Sequence, residues 1–343
     1  MSDQRVFVTR RIPQPGLDIL AEAGAAVTVA QDDEERGVDA EVLSGGAAGC
    51  DVLLSLLTEP VDRQLLEGCP ALRGVAQMAV GFNNIDVEAA TQLGIPVSNT
   101  PGVLTDTTAD LTWAMLLATA RRIPEAHEYM TAGRYQLWGP NLFVGSDVGL
   151  GASGTRKILG IVGYGRIGEA VARRSVGFDM DVLAFDPYNK DGIESSDLVD
   201  WADLEELLER SDFVSLHPLL TEETYHLIGE PELRKMKTTA HLINASRGPV
   251  VHEEALVRAL REGWIAGAAL DVYEDEPAMA PGLVELPNVV RLPHIASASI
   301  DTRGRMATMA ATNAVAHLRG ERAPNAVNPE VYETDAYRLR IDR

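Results

Sequence analysis

The sequence predicts an α/β protein made of two strand–helix series, each folding into a parallel sheet covered by helices. Short β-rich runs alternate with helical periodicity almost throughout, and that pattern implies parallel strands joined by crossover helices. The alternation pauses at a stretch rich in Gly and small residues, "VGSDVGLGASGTRK" (Val144 to Lys157), and resumes at Ile158. At 343 residues the chain is long enough for two domains with sizeable cores.

In the first series, "RVFVTRRI" (Arg5 to Ile12), "CDVLLSLL" (Cys50 to Leu57), "LRGVAQM" (Leu72 to Met78) and "IPVSNT" (Ile95 to Thr100) read as strands. Helical stretches such as "VDRQLLEGC" and "DVEAATQLG" lie between them and end near a Gly or Pro stop. "ADLTWAMLLATARRI" (Ala109 to Ile123) is apolar nearly all round, which predicts a helix buried between domains or subunits. The second series runs through "KILGIV", "DVLAFD", "DFVSLH", "AHLINAS", "AGAALDV" and "NVVRLPH", and a final helix spans about Ile300 to Arg319.

Charge and cysteine content narrow the partners. The net charge is -21, from 51 acidic and 30 basic residues, a sign that repels nucleic acid and anionic membranes. Only four of the basic residues are Lys, as in a salt-adapted surface. An anionic substrate would be repelled as well, so its site must supply positive charge locally. No apolar run is long enough to span a bilayer and no charged-then-apolar leader opens the chain, so a soluble cytoplasmic protein is expected. Cys50 and Cys69 are the only thiols and fit buried packing; neither stands in a CxxC pair, and no metal site is expected.

"ILGIVGYGRIGEAVARR" places Gly163, Gly165 and Gly168 in GxGxxG spacing between a predicted strand and a predicted helix. That context demands a tight turn, close approach of backbone to a pyrophosphate, and a helix N-terminus facing the phosphates. The next strand ends at Asp186, 18 residues past Gly168. A carboxylate there accepts from ribose hydroxyls and repels a 2′-phosphate, so NAD is expected, with Lys190 nearby leaving NADP possible.

Three charged residues then follow at or just past predicted strand ends: Arg247 in "INASRG", Glu276 in "LDVYEDEP" and His294 in "RLPHIAS". Ligands of open parallel sheets bind outside the carboxyl ends of the strands. Arg247 can grip a carboxylate bidentately and polarise a neighbouring carbonyl. His294 can hand a proton to oxygen, and Glu276 is placed to favour its imidazolium and fix its orientation. Beside NAD these make a set for hydride to carbon and proton to oxygen.

The motifs "VGFNNID", "NTPGVLTDTTAD", "GIVGYGRIG", "LINASRG", "GAALDVYEDEP" and "LPHIASAS" resemble the D-isomer-specific 2-hydroxyacid dehydrogenase family, from about Leu53 to Pro329. The resemblance implies substrate binding by Arg247, proton transfer by His294 and its pairing with Glu276. It implies substrate-carboxylate binding by the backbone of Val80 and Gly81. Around NAD it implies Thr105, Tyr164, Arg166, Ile167, Asp186, His217, Pro218, Ala245, Ser246 and Asp271 beside the glycines. The implied fold is bilobal with a cleft. A flavodoxin-like substrate lobe of residues 1–103 plus 299–343 accompanies a Rossmann cofactor lobe of residues 104–298. "PGVLTDTTADLTWAMLLATARRI" followed by "YQLWGP" is most similar to glyoxylate/hydroxypyruvate reductases, in which the tryptophan reaches toward a second subunit. Trp138, Leu56, Leu57 and Val80 are therefore expected to shape the pocket, and a homodimer is expected. The expected substrate is a small 2-keto acid. Phosphoglycerate oxidation would need a basic residue around "QMAVGF", where Gln77 and Met78 stand. Formate oxidation needs no proton-transferring histidine. A non-catalytic NAD-sensing scaffold of the corepressor type is the rival of another class.

Overall fold

The structure is a computed structural model that describes residues 4–33, 35–188 and 198–341. The chain divides into two compact units, Met1–Leu104 with Ala298–Arg343, and Thr105–Ser297.

The described residues of the first unit form a five-stranded parallel sheet from β1 (Arg5–Val8), β2 (Ala26–Val29), β3 (Val52–Ser55), β4 (Gly74–Gln77) and β5 (Val97–Ser98), in the order β2-β1-β3-β4-β5. Pleating sends alternate residues to opposite faces, and here both faces are apolar. Val6, Val8, Val52 and Leu54 face the helices Gln14–Glu22 and Ile300–Arg319, while Phe7, Leu53 and Val75 face a second cluster around Leu43, Leu66 and Ala89. The long helix approaches closely because its inner face is Ala307, Ala310, Ala311 and Ala314. Ser299 caps it by accepting from the Thr302 N–H at 3.2 Å, and Gly320 ends it at φ 68°.

The described residues of the second unit form a seven-stranded sheet from β6 (Ile158–Val162), β7 (Asp181–Phe185), β8 (Asp200–Trp201), β9 (Phe213–Leu216), β10 (His241–Asn244), β11 (Gly267–Leu270) and β12 (Val289–Arg291). Every pairing is parallel and the order is β12-β11-β10-β9-β6-β7-β8. The order reverses between β6 and β9, the place where a doubly wound sheet opens a crevice for a ligand.

The apolar helix is Thr105–Ala120, and it covers one face of this second sheet through Ala109, Trp113, Leu116 and Ala120 rather than being apolar all round. Asp106, Asp110 and Ala114 form an exposed stripe at helical spacing. Cys50 and Cys69 are buried free thiols, as expected, and burial pushes the Cys50 thiol up to about 12. No described helix is long and apolar enough to cross a membrane.

Candidate active site

The glycine turn sits at the reversal of strand order. Gly163 directly follows β6 at φ 88°, in the left-handed region, and a Cβ there would lie 2.6 Å from the Pro218 nitrogen and 2.7 Å from the His217 carbonyl carbon. A Cβ on Gly168 would lie 2.3 Å from the Gly163 oxygen, so helix and turn touch through backbone. Gly165 faces open space and is the N-cap of the helix Arg166–Ser175, with no side chain capping its first turn. Tyr164 is buried and packs edge-on to Trp201, Arg166 is exposed, and Ile167 leans on the core.

Asp186 closes this turn. Its Oδ2 accepts the Tyr164 N–H at 2.9 Å and its Oδ1 accepts the Tyr188 N–H at 2.9 Å. His217 bonds through Nε2 to the Ser215 hydroxyl at 2.8 Å, while its buried Nδ1 has no partner among the described residues. Burial pushes this imidazole down to about 4, so it is neutral at pH 7. A glycine cradle, an uncapped helix N-terminus and an orphaned buried nitrogen fit a dinucleotide and its pyrophosphate. Thr105 opens its helix and is partly buried. Lys190 lies outside the described residues.

The charged residues come from neighbouring strands of the same sheet. At the end of β10 the Asn244 side chain shapes the turn. Its Oδ1 accepts the Ser246 N–H at 3.0 Å and hydroxyl at 2.9 Å, and its Nδ2 donates to the Arg247 carbonyl at 3.0 Å. Ala245 is buried beneath. Gly248 is obligatory, since a Cβ there would fall 1.8 Å from the Tyr273 oxygen. The Arg247 guanidinium donates to the Ser246 carbonyl at 2.7 Å and has no other bond among the described residues. Burial lowers its pKa and the charge of Glu276 acts the other way; arginine stays protonated throughout.

His294 Nδ1 meets Glu276 Oε2 at 2.9 Å, and Glu276 Oε1 accepts the Tyr273 N–H at 3.0 Å. Burial alone would raise the Glu276 carboxyl, but His294, the Tyr273 N–H and Arg247 together hold it below the usual carboxylate range. His294 stands at φ 56°. Asp271, at the end of β11 and fully buried, secures that conformation: its oxygens accept the N–H groups of Ile295 at 2.7 Å and Ala296 at 2.8 Å. Burial raises the Asp271 carboxyl in spite of those bonds.

Residues 113–296 match the model of the D-isomer specific 2-hydroxyacid dehydrogenase NAD binding domain. The chain belongs to that family. This dehydrogenase is an oxidoreductase acting on 2-hydroxy acids. It is 51% identical over 329 residues to a glyoxylate reductase of Korarchaeum cryptofilum, covering 95% of this chain and 96% of that protein. It is 47% identical over 331 residues to a glyoxylate reductase of Thermococcus gammatolerans, covering 95% and 96%. The crystal structure of the TT0316 protein from Thermus thermophilus superposes with a TM-score of 0.86 at 41% identity, covering 94% of this chain and all of that one.

In the first unit of the dehydrogenase, Val80 and Gly81 follow β4. Asn99 Nδ2 donates to the Val80 carbonyl at 2.7 Å and Gln77 Nε2 to the Gly81 carbonyl at 3.4 Å. Their own N–H groups have no partner among the described residues. Gln77 is fully buried and also binds Ser55 and Asn84, so it serves the turn itself. Leu56 and Leu57 follow β3, with the Leu56 N–H given to buried Glu59 at 2.8 Å. In the second unit Trp138 lies in an exposed loop, 71% accessible. Sequence reasoning missed Asn244 and Glu253 as shaping residues. The "NAS" turn carried a signal for the first; for the second only an acidic helix start did.

Proposed function

We propose that the protein reduces a small 2-keto acid of the glyoxylate or hydroxypyruvate class to the D-2-hydroxy acid. The observation that carries this reading is a half-buried guanidinium whose donors are largely unused, on the same sheet edge as a histidine–carboxylate pair at 2.9 Å. When bound, reduced nicotinamide dinucleotide supplies the hydride. Arg247 grips the substrate carboxylate and polarises the adjacent carbonyl. As the carbonyl carbon takes the hydride, its π electrons move to oxygen, and His294 delivers a proton to that oxygen from Nε2, the nitrogen not bonded to Glu276. Such general-acid help is worth ~10²–10⁴-fold. The unpartnered N–H groups of Val80 and Gly81 are proposed carboxylate donors, and Leu57 and Trp138 are proposed to set which keto acids fit. Asp186 supports NAD over NADP. The glyoxylate reductases among its relatives support the substrate class.

The test is NADH and NADPH oxidation with glyoxylate, hydroxypyruvate and pyruvate, in wild type and Arg247→Ala. The variant should lose about 10²–10³-fold in kcat, as when an oxyanion donor is removed, with NADH affinity kept. No oxidation with any of these acids would favour the NAD-sensing scaffold instead.

A homodimer is part of the proposal. Leu137, Trp138, Val144 and Leu150 expose 81, 71, 62 and 55% of their surface within one loop, an apolar area that a second copy would cover. Sedimentation should give a dimer that Leu137→Asp weakens; a wild-type monomer would refute it. Two buried free thiols suit the reducing cytoplasm proposed for it.

A further inference from the structure

We propose that Glu253 is a positioning residue for the reaction, its buried carboxylate fixing the loop that holds Glu276 against His294. The proposal rests on the proton-transfer reading given above.

Glu253 is the first residue of the helix Glu253–Glu262 and is 4% exposed. A carboxylate so enclosed needs its lone pairs occupied. Its Oε2 accepts the Glu274 N–H at 2.8 Å and its Oε1 accepts the Ala280 N–H at 2.7 Å. These two amides bracket the segment that carries Glu276, so one side chain ties both of its ends to one helix start. The tie is reciprocal, because the Glu253 N–H donates to Glu274 Oε2 at 3.0 Å. Glu274 is held from a third direction by His226, whose Nε2 meets Oε1 at 2.6 Å, with the Tyr225 ring stacked on that imidazole at 4.0 Å. Tyr273, next in the chain, donates its N–H to Glu276 and its hydroxyl to the Leu292 carbonyl at 2.9 Å, two residues before His294. Glu276 itself faces His294, Arg247 and Asp271. Displacing 274–280 therefore moves the Glu276 carboxylate relative to a histidine fixed separately by Asp271.

Glu253→Gln keeps the shape but turns an NH2 toward one of the two amide donors. The experiment measures kcat/KM for glyoxylate reduction against pH, together with NADH affinity, in wild type, E253Q, E276Q and the double variant. Reduction needs a protonated histidine, so the rate falls as pH rises. The pairing that holds the Glu276 carboxyl low is lost in E276Q, which should move that fall to lower pH. E253Q should move it the same way by less, cut kcat roughly tenfold or more, and leave NADH affinity unchanged. In the double variant, E253Q should add no further shift to that of E276Q. A profile moved by E276Q but not by E253Q overturns the proposal and leaves the proton-transfer reading standing. A profile that E276Q also fails to move removes both. Should E253Q not fold, His226→Phe, which frees Glu274 from the other side and keeps the ring under Tyr225, carries the same comparison and the same overturning result.

Discussion

Replacing Asp271 by Asn separates two roles for that residue. Its oxygens take the N–H groups of Ile295 and Ala296 at 2.7 and 2.8 Å, directly after His294 at φ 56°. Asn offers one oxygen, so one buried N–H faces an NH2 and is left unpaired, at a cost of about 1–3 kcal/mol. The left-handed His294 also loses part of what enforces it, and such residues hold about 1–3 kcal/mol of strain. An opposing effect exists. Burial raises the Asp271 pKa, so ionisation costs stability as pH rises through the folded value, and Asn removes that cost. The hydrogen-bond loss outweighs it because Asn not only removes one acceptor but turns an NH2 onto a buried N–H. We expect about 1–2 kcal/mol net destabilisation, or roughly 2–8 °C in Tm for a unit of this size. Released, His294 moves relative to substrate, and kcat should fall about 10²-fold with NADH affinity retained. Thermal unfolding, pre-steady-state reduction and NADH fluorescence titration measure these three quantities. Weakened NADH binding with normal kcat would mean that Asp271 serves the cofactor, and the positioning role would be wrong.

Gly168→Ala should weaken NADH binding by about 10–100-fold, since its Cβ falls 2.3 Å from the Gly163 oxygen and the glycine turn must shift; an unchanged Kd by fluorescence titration would separate the turn from the cofactor. Acid should destabilise the fold between pH 6.5 and about 4. His241 and His317 are buried, and burial pushes both down from 6.5 to about 4. In that window the unfolded chain binds more protons, so stability falls with pH by up to about 3 kcal/mol per histidine. Urea midpoints across the range should show the slope, and His317→Gln should lose part of it.

Much of the sheet was legible because buried parallel strands are β-rich runs with little polar interruption, as in "VLLS" and "ILGIV". The predicted strands overran their ends at Leu56, Leu57 and Met78, because apolar residues continue into the loops that follow. The helix Ile300–Arg319 matched its predicted ends, since a Ser N-cap and a terminal Gly mark them chemically. Arg247, Glu276 and His294 were legible as charged groups interrupting apolar segments. The clamping roles were not, although Asp271 itself was expected beside the cofactor. Asp271 reaches amides 24 and 25 positions later and Glu253 reaches one 21 positions later. A side chain that binds distant backbone leaves no mark on its own neighbourhood, and an acid at a helix start already has a sufficient local reason in the helix dipole.

A chain of net charge -21 that binds an anionic acid must hide its own carboxylates from that anion. Distance alone does not achieve this, for Glu253, Asp271, Glu274 and Glu276 all lie on the segments that follow β10 and β11. What they share is saturation. Glu253 and Asp271 each give both oxygens to backbone N–H groups, Glu274 gives one to an N–H and one to His226, and Glu276 gives one to an N–H and one to His294. Each negative charge is thereby faced by fixed dipoles or an imidazole. Arg247 is built the opposite way, with one internal bond and a partly exposed side chain. Selectivity for an anion then follows from which donors still have hydrogen-bonding capacity, and here those are the Arg247 guanidinium and His294 Nε2.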